Sequence, residues 1–248
     1  MKSSVSIADA KGGSPLRRSI PGHMYWNMAR QPSRRSVVAL ALSALAGVMG
    51  ARSARAADPV RLVALGDSLT AGFGVGPKDA FPAKLEAALK AKGRNVAISN
   101  AGVSGDTSTG GADRLDWSVP DGTDGVIVEL GANDMLRGLD PEVTRKAIGR
   151  ILDGLNARNI PVLLTGMRAA PNLGPDFGER YEAVFTDYAK ERGLDFYPFF
   201  LDGVAGDRAL NQQDGIHPNP RGVDVIVEKI LPTVERFLDR IEAGPSSP

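Results

Sequence analysis

From Pro59 onward the chain alternates short apolar runs with longer stretches in which apolar residues recur every three or four positions. The short runs fall at 61–65, 95–99, 125–130, 161–165 and 195–199. Rich in Val, Ile and Leu and largely unbroken by polar residues, they read as strands buried on both faces. The stretches at 80–92, 141–159, 177–192 and 220–241 read as amphipathic helices. The clearest starts at Pro141, a residue suited to a helix's first turn, and sets Val143, Ala147, Ile151, Leu152 and Leu155 on one face. Strands alternating with helices predict βαβ units. The expectation is one doubly wound α/β domain over 58–243, built on a central, mostly parallel sheet of five strands, with a frayed polar tail at 244–248.

The first 57 residues follow a different pattern. Arg30, Arg34 and Arg35 precede an apolar stretch from 37 to 49, and Ala54-Arg55-Ala56 follows it. Basic, apolar, then A-x-A is the layout of a secretory signal peptide, with cleavage expected after Ala56. The apolar stretch falls short of the ~20 residues that span a bilayer, so no stable membrane insertion is expected once it is cut. Ser33-Arg34-Arg35-Ser36 also resembles a twin-arginine signal. Residues 1–23 fit neither signal nor domain, which makes Met24 or Met28 candidate starts. The expected location is periplasmic or secreted.

Composition narrows the chemistry. The chain has 248 residues, 42% of them hydrophobic and 24% charged, with a net charge of +1 and no cysteine. Its Lys and Arg residues are scattered rather than striped, so there is no case for nucleic acid. Without cysteine there are no disulfides, thiolate nucleophiles or Cys-based zinc sites. Of the two histidines, His23 precedes the expected cleavage point and leaves His217 alone in the mature chain.

Polar and glycine-rich blocks sit at the carboxyl ends of the first three strands: Gly66-Asp67-Ser68, Asn100 through Thr107, and Gly131-Ala132-Asn133-Asp134. In an open α/β sheet, ligands sit outside those ends. A fourth block, Asp214-Gly215-Ile216-His217-Pro218, precedes the last helix. Ser68 could simply cap a helix. It could equally be a nucleophile, which needs a base to take its proton. An imidazole base must then be His217, with Asp214 three residues away to hold its ring. A helical turn would bring the two together. The backbone N–H groups of Ser68 and Gly102 and the Asn133 side-chain amide are candidate donors to an oxyanion.

These four blocks, in this order and spacing, resemble those of the SGNH (GDSL) hydrolases. The resemblance covers residues 60–241. Asn100–Ser108, Val128–Asp134, Leu136–Leu139 and Tyr197–Phe200 are similar to the periplasmic thioesterase I/arylesterase/lysophospholipase branch. It implies a flavodoxin-like fold and a monomeric serine hydrolase that needs no cofactor or metal. Its substrates would be small acyl esters, aryl esters, lysophospholipids or acyl thioesters. It implies Ser68, Asp214 and His217 as catalytic triad and Ser68, Gly102 and Asn133 as oxyanion hole. Asp67 would brace the nucleophile loop. Met135, Leu136, Leu139, Pro171 and Leu173 would line the acyl site.

Other readings compete. Asp67, Asn133, Asp134, Asp214 and His217 could ligate metal in a phosphoesterase, but two-metal sites usually employ several histidines. The glycines at 72, 74 and 76 form no dinucleotide or P-loop fingerprint. An O-deacetylase acting on envelope polysaccharide would want an open, polar pocket rather than this apolar set. A non-catalytic exported binding module would not need all four blocks.

Overall fold

A computed structural model of the protein describes residues 58–244. The expected signal segment and the last four residues lie outside the described residues. Five strands, β1 (Val60–Gly66), β2 (Val96–Gly102), β3 (Gly125–Glu129), β4 (Val162–Thr165) and β5 (Asp195–Tyr197), form one sheet. Its order is β2-β1-β3-β4-β5, and every pairing is parallel. The central strands β3 and β4 are buried at every residue, as their unbroken apolar runs require.

Helices cover both faces. On one, α2 (Phe81–Ala91) packs against α8 (Pro220–Ala243). On the other, α6 (Pro141–Ala157) packs against α7 (Pro175–Arg192) and the short α3 (Ser108–Asp113). The remaining short helices are α1 (Ser68–Ala71), α4 (Leu115–Ser118) and α5 (Ala132–Leu136). Helix α8 buries Val223, Ile226, Val227, Ile230, Val234, Phe237 and Leu238, a spacing of three and four that lays one stripe on the core.

Two expectations need correction. The second strand does not stop at residue 99. It runs on through Gly102 because Ala64, Leu65 and Gly66 of β1 continue the ladder with Asn100, Ala101 and Gly102. Val143 is 41% exposed, while Ile148 takes its place in the buried stripe of α6. The polar blocks after β1 and β3 each wind directly into a short helix.

The strand order has one consequence for function. β1 lies between β2 and β3, so the chain leaves β1 in one direction and returns on its other side. Crevices open at such switch points, outside the carboxyl ends of the strands. The residues following β1, β2 and β3 are those of the first three polar blocks.

Candidate active site

Asp67 caps α1 by accepting the Leu69 N–H on Oδ1 at 2.9 Å, so Ser68 is the first helical residue and not the cap. Its hydroxyl is thereby released from capping. His217 Nε2 lies 2.9 Å from Ser68 Oγ, across 149 residues of sequence. His217 Nδ1 lies 2.7 Å from Asp214 Oδ2.

The local device that joins Asp214 to His217 is not a helical turn, as expected, but a side-chain turn. Asp214 Oδ1 accepts the backbone N–H groups of Ile216 and His217, each at 3.0 Å. Gly215 sits inside that turn at φ 76°, a conformation open to glycine. The Gln212 N–H donates to the His217 carbonyl at 2.7 Å and the Asn219 N–H to the Leu210 carbonyl at 2.9 Å, which closes the loop's base. Those hydrogen bonds, the backbone one from His217 foremost, hold the Asp214 carboxyl down at about 2. Phe73 lies against the imidazole with ring centroids 4.6 Å apart.

The expected oxyanion donors sit at adjoining strand ends. Asn133, on the first turn of α5, donates from Nδ2 to Asp67 Oδ2 at 3.1 Å and to the Asp106 carbonyl at 2.9 Å. The Gly102 N–H donates to Asn100 Oδ1 at 2.9 Å. A Cβ on Gly102 would come within 2.2 Å of the Ala71 backbone nitrogen, so only glycine lets β2 and α1 meet this closely.

Beneath Ser68 lie two buried carboxyls. Burial pushes Asp67 up to about 6, against the pull of the Leu69 N–H and the Asn133 amide. Glu129, wholly buried at the end of β3, is pushed well above the carboxylate range by burial and then by the Asp67 charge. The Thr70 hydroxyl donates to its Oε2 at 2.8 Å.

A cavity of about 310 Å³ opens beside Ser68 and His217. Met135, Leu136 and Pro171 line it, as expected, but Leu139 and Leu173 do not. The Leu139 N–H closes the turn after α5 on the Asp134 carbonyl, and Leu173 packs onto the core. The sequence reading missed Leu69, Phe199, Leu201 and Ile216 on the walls, whereas Met167 and Arg168 belong to the 167–174 stretch it took for a pocket loop. The Arg168 guanidinium lies 4.9 Å over the Phe199 ring. The loop holding Met167 and Arg168 follows β4 directly, at the carboxyl edge of the sheet. Among the described residues, no group of His, Asp or Glu converges to hold a metal, and no helix is long and apolar enough to cross a membrane.

A profile described as the GDSL-like lipase/acylhydrolase family matches residues 64–225. The chain belongs to this family. It is 36% identical over 185 residues to the Escherichia coli K12 thioesterase 1/protease 1/lysophospholipase L1, covering 73% of this chain and 88% of the relative. To the Pseudomonas aeruginosa esterase TesA it is 34% identical over 178 residues, covering 71% and 89%. The solved structure of AlinE4, an SGNH-hydrolase family esterase, is 42% identical, with a TM-score of 0.62, covering 73% of this chain and 97% of that one. This GDSL-family chain is an ester hydrolase of the α/β SGNH fold.

Proposed function

We propose that this hydrolase works through an acyl-enzyme on Ser68, with His217 as base and Asp214 holding the base. The observation that carries the reading is the continuous line from Asp214 Oδ2 through the imidazole to Ser68 Oγ, at 2.7 and 2.9 Å. The Asp214 carboxylate fixes the ring proton on Nδ1 and leaves the Nε2 lone pair facing the hydroxyl. Nε2 takes the Ser68 proton as Oγ attacks the acyl carbonyl. The Ser68 and Gly102 N–H groups and the Asn133 amide stabilise the oxyanion, the Gly102 N–H and the Asn133 amide taking it in place of their resting acceptors. His217 returns the proton to the leaving oxygen or sulfur. Water then attacks the acyl carbon while giving a proton to Nε2, the Oγ–acyl bond breaks, and Nε2 returns the proton to Ser68 Oγ as the acid leaves.

The apolar cavity beside Ser68 favours acyl esters over acetylated sugars as substrates, because Met135, Leu136, Met167 and Phe199 offer a chain contact and little hydrogen bonding. Aryl esters, lysophospholipids and acyl thioesters all present such a chain. The basic–apolar–A-x-A pattern at the amino end supports export to the periplasm or beyond, with the mature enzyme starting after Ala56. Hydrolysis of p-nitrophenyl esters from acetate to palmitate by the mature chain tests the reading. Turnover absent from Ser68→Ala and indifferent to chelator is expected, rising beyond acetate. Turnover that persists in Ser68→Ala refutes the acyl-enzyme, and a sole preference for acetate favours the deacetylase.

A further inference from the structure

Arg114 stands out as a buried cation that the mechanism above does not use. It sits between α3 and α4, and only 6% of it is exposed. Its guanidinium has four acceptors. Nε donates to Asp106 Oδ2 at 2.6 Å, and Nη1 to the Ala101 carbonyl at 2.8 Å and to Ser118 Oγ at 2.9 Å. Nη2 donates to the Gly66 carbonyl at 2.8 Å.

Three of these acceptors adjoin the three expected oxyanion donors. Gly66 is the last residue of β1, two before Ser68. Ala101 O belongs to the same peptide unit as the Gly102 N–H. The Asp106 backbone carbonyl accepts the Asn133 amide at 2.9 Å while the Asp106 carboxylate accepts from Arg114. One planar side chain therefore ties together the ends of β1 and β2 and the loop that orients Asn133. Arginine suits this task because its rigid fork presents five donors in fixed directions, whereas a lysine offers one point of charge. A cation on the Ala101 carbonyl also draws electron density from that peptide, which strengthens the Gly102 N–H as a donor.

We propose that Arg114 is the positioning residue of the oxyanion hole, setting the spacing of the Ser68, Gly102 and Asn133 donors and polarising the Gly102 peptide. The inference rests on the serine-esterase reading. Arg114 touches no substrate, so its loss acts on the transition state through the donors it holds. An oxyanion donor is worth about 10²–10³ in rate. A clamp acting through donors should carry part of that.

The test compares Arg114→Lys, Arg114→Met and Ser118→Ala with the wild type on p-nitrophenyl butyrate. Rates are counted per active site, titrated with an organophosphate ester that phosphorylates the serine. Arg114→Lys is expected to lower kcat about 10-fold and Arg114→Met about 100-fold, with KM moving less than threefold. Affinity for an alkyl boronic acid, which forms a tetrahedral anionic adduct on serine, should fall in parallel with kcat. Ser118→Ala removes a hydrogen bond of Arg114 that reaches no oxyanion loop, and should leave kcat unchanged. The proposal is overturned if kcat per titrated site in Arg114→Lys stays within threefold of wild type, or if kcat falls while boronate affinity holds. Failure of both Arg114 variants to yield titratable protein also overturns it, since Arg114 would then serve the fold. A wild type without ester turnover, or turnover surviving Ser68→Ala, would instead sink the esterase reading itself.

Discussion

Replacing Asp214 by Asn tests the triad at the atom that decides the imidazole's tautomer. Asp214 Oδ1 is fixed by two backbone N–H groups at 3.0 Å, from Ile216 and His217. An Asn at 214 keeps its carbonyl oxygen on those donors, because its NH₂ would clash with them. The NH₂ then takes the Oδ2 position, 2.7 Å from Nδ1, where the carboxylate now stands. A donor there makes Nδ1 an acceptor and moves the ring proton to Nε2. That proton would face Ser68 Oγ at 2.9 Å, where a lone pair is needed. The same substitution in a fully buried triad costs about 10⁴ in kcat. Here the Asp214 side chain is 37% exposed, so water can compete for the ring and relieve part of the misdirection. We expect a loss of about 10³, or about 4 kcal/mol of barrier. The assay is kcat/KM on p-nitrophenyl butyrate, with thermal unfolding measured alongside to show that the loop still closes. Asp214→Asn retaining more than a tenth of wild-type activity would refute the tautomer argument and with it the role of Asp214.

Four other outcomes follow from the same geometry. Asp214 is held down at about 2 by hydrogen bonds, so it stays ionised above about pH 4, and an acid limb above that pH in the wild-type pH–rate profile that Asp214→Asn abolishes would contradict this. Asp67 is pushed up to about 6, above its unfolded value of about 3.9, so the folded state holds a proton that the unfolded state has lost between those pH values. Its contribution to stability is therefore undiminished below about pH 4 and falls by about 3 kcal/mol as pH rises through 6. Urea unfolding of wild type against Asp67→Asn should show their stability difference changing by that amount, and a constant difference would contradict the assignment. Gly102→Ala places a Cβ 2.2 Å from the Ala71 nitrogen. We expect about 1–3 kcal/mol of destabilisation by denaturant titration together with reduced kcat, and an unchanged kcat would remove Gly102 from the oxyanion hole. Leu136→Asp, on the cavity wall, should lower kcat/KM for octanoate about tenfold or more while sparing acetate, as measured on the matched p-nitrophenyl esters.

Much of the fold was written in local pattern. Strands of a parallel sheet are buried on both faces, so Val126 to Val128 and Val162 to Leu164 appear as unbroken apolar runs that no surface element would carry. Pro141 marked a helix start because proline lacks the one N–H that the first turn does not use. The elimination that singled out His217 needed only a count of histidines and a cleavage motif. Polar residues at strand ends pointed to one edge of the sheet, and the structure puts Ser68 and His217 together there.

What the sequence could not decide was everything that depends on direction. The face that α6 turns inward is set by its neighbours α3 and α7, and that left Val143 outside despite its period. Leu139 and Leu173 have the right chemistry for a pocket wall, but a turn and the core claimed them. The Asp214 turn works through two backbone N–H groups whose aim is fixed only once Gln212 and Asn219 anchor the loop. Arg114 carries no signal of its own, because an arginine flanked by aspartates in a short amphipathic stretch reads as a solvated side chain. Its burial exists only when β1 and β2 end side by side and their carbonyls, which every residue possesses, point at the same spot. Residue type fixes what a group can donate or accept, and local pattern fixes which element carries it. Which groups meet is settled by strand order and packing, over separations such as the 149 residues between Ser68 and His217.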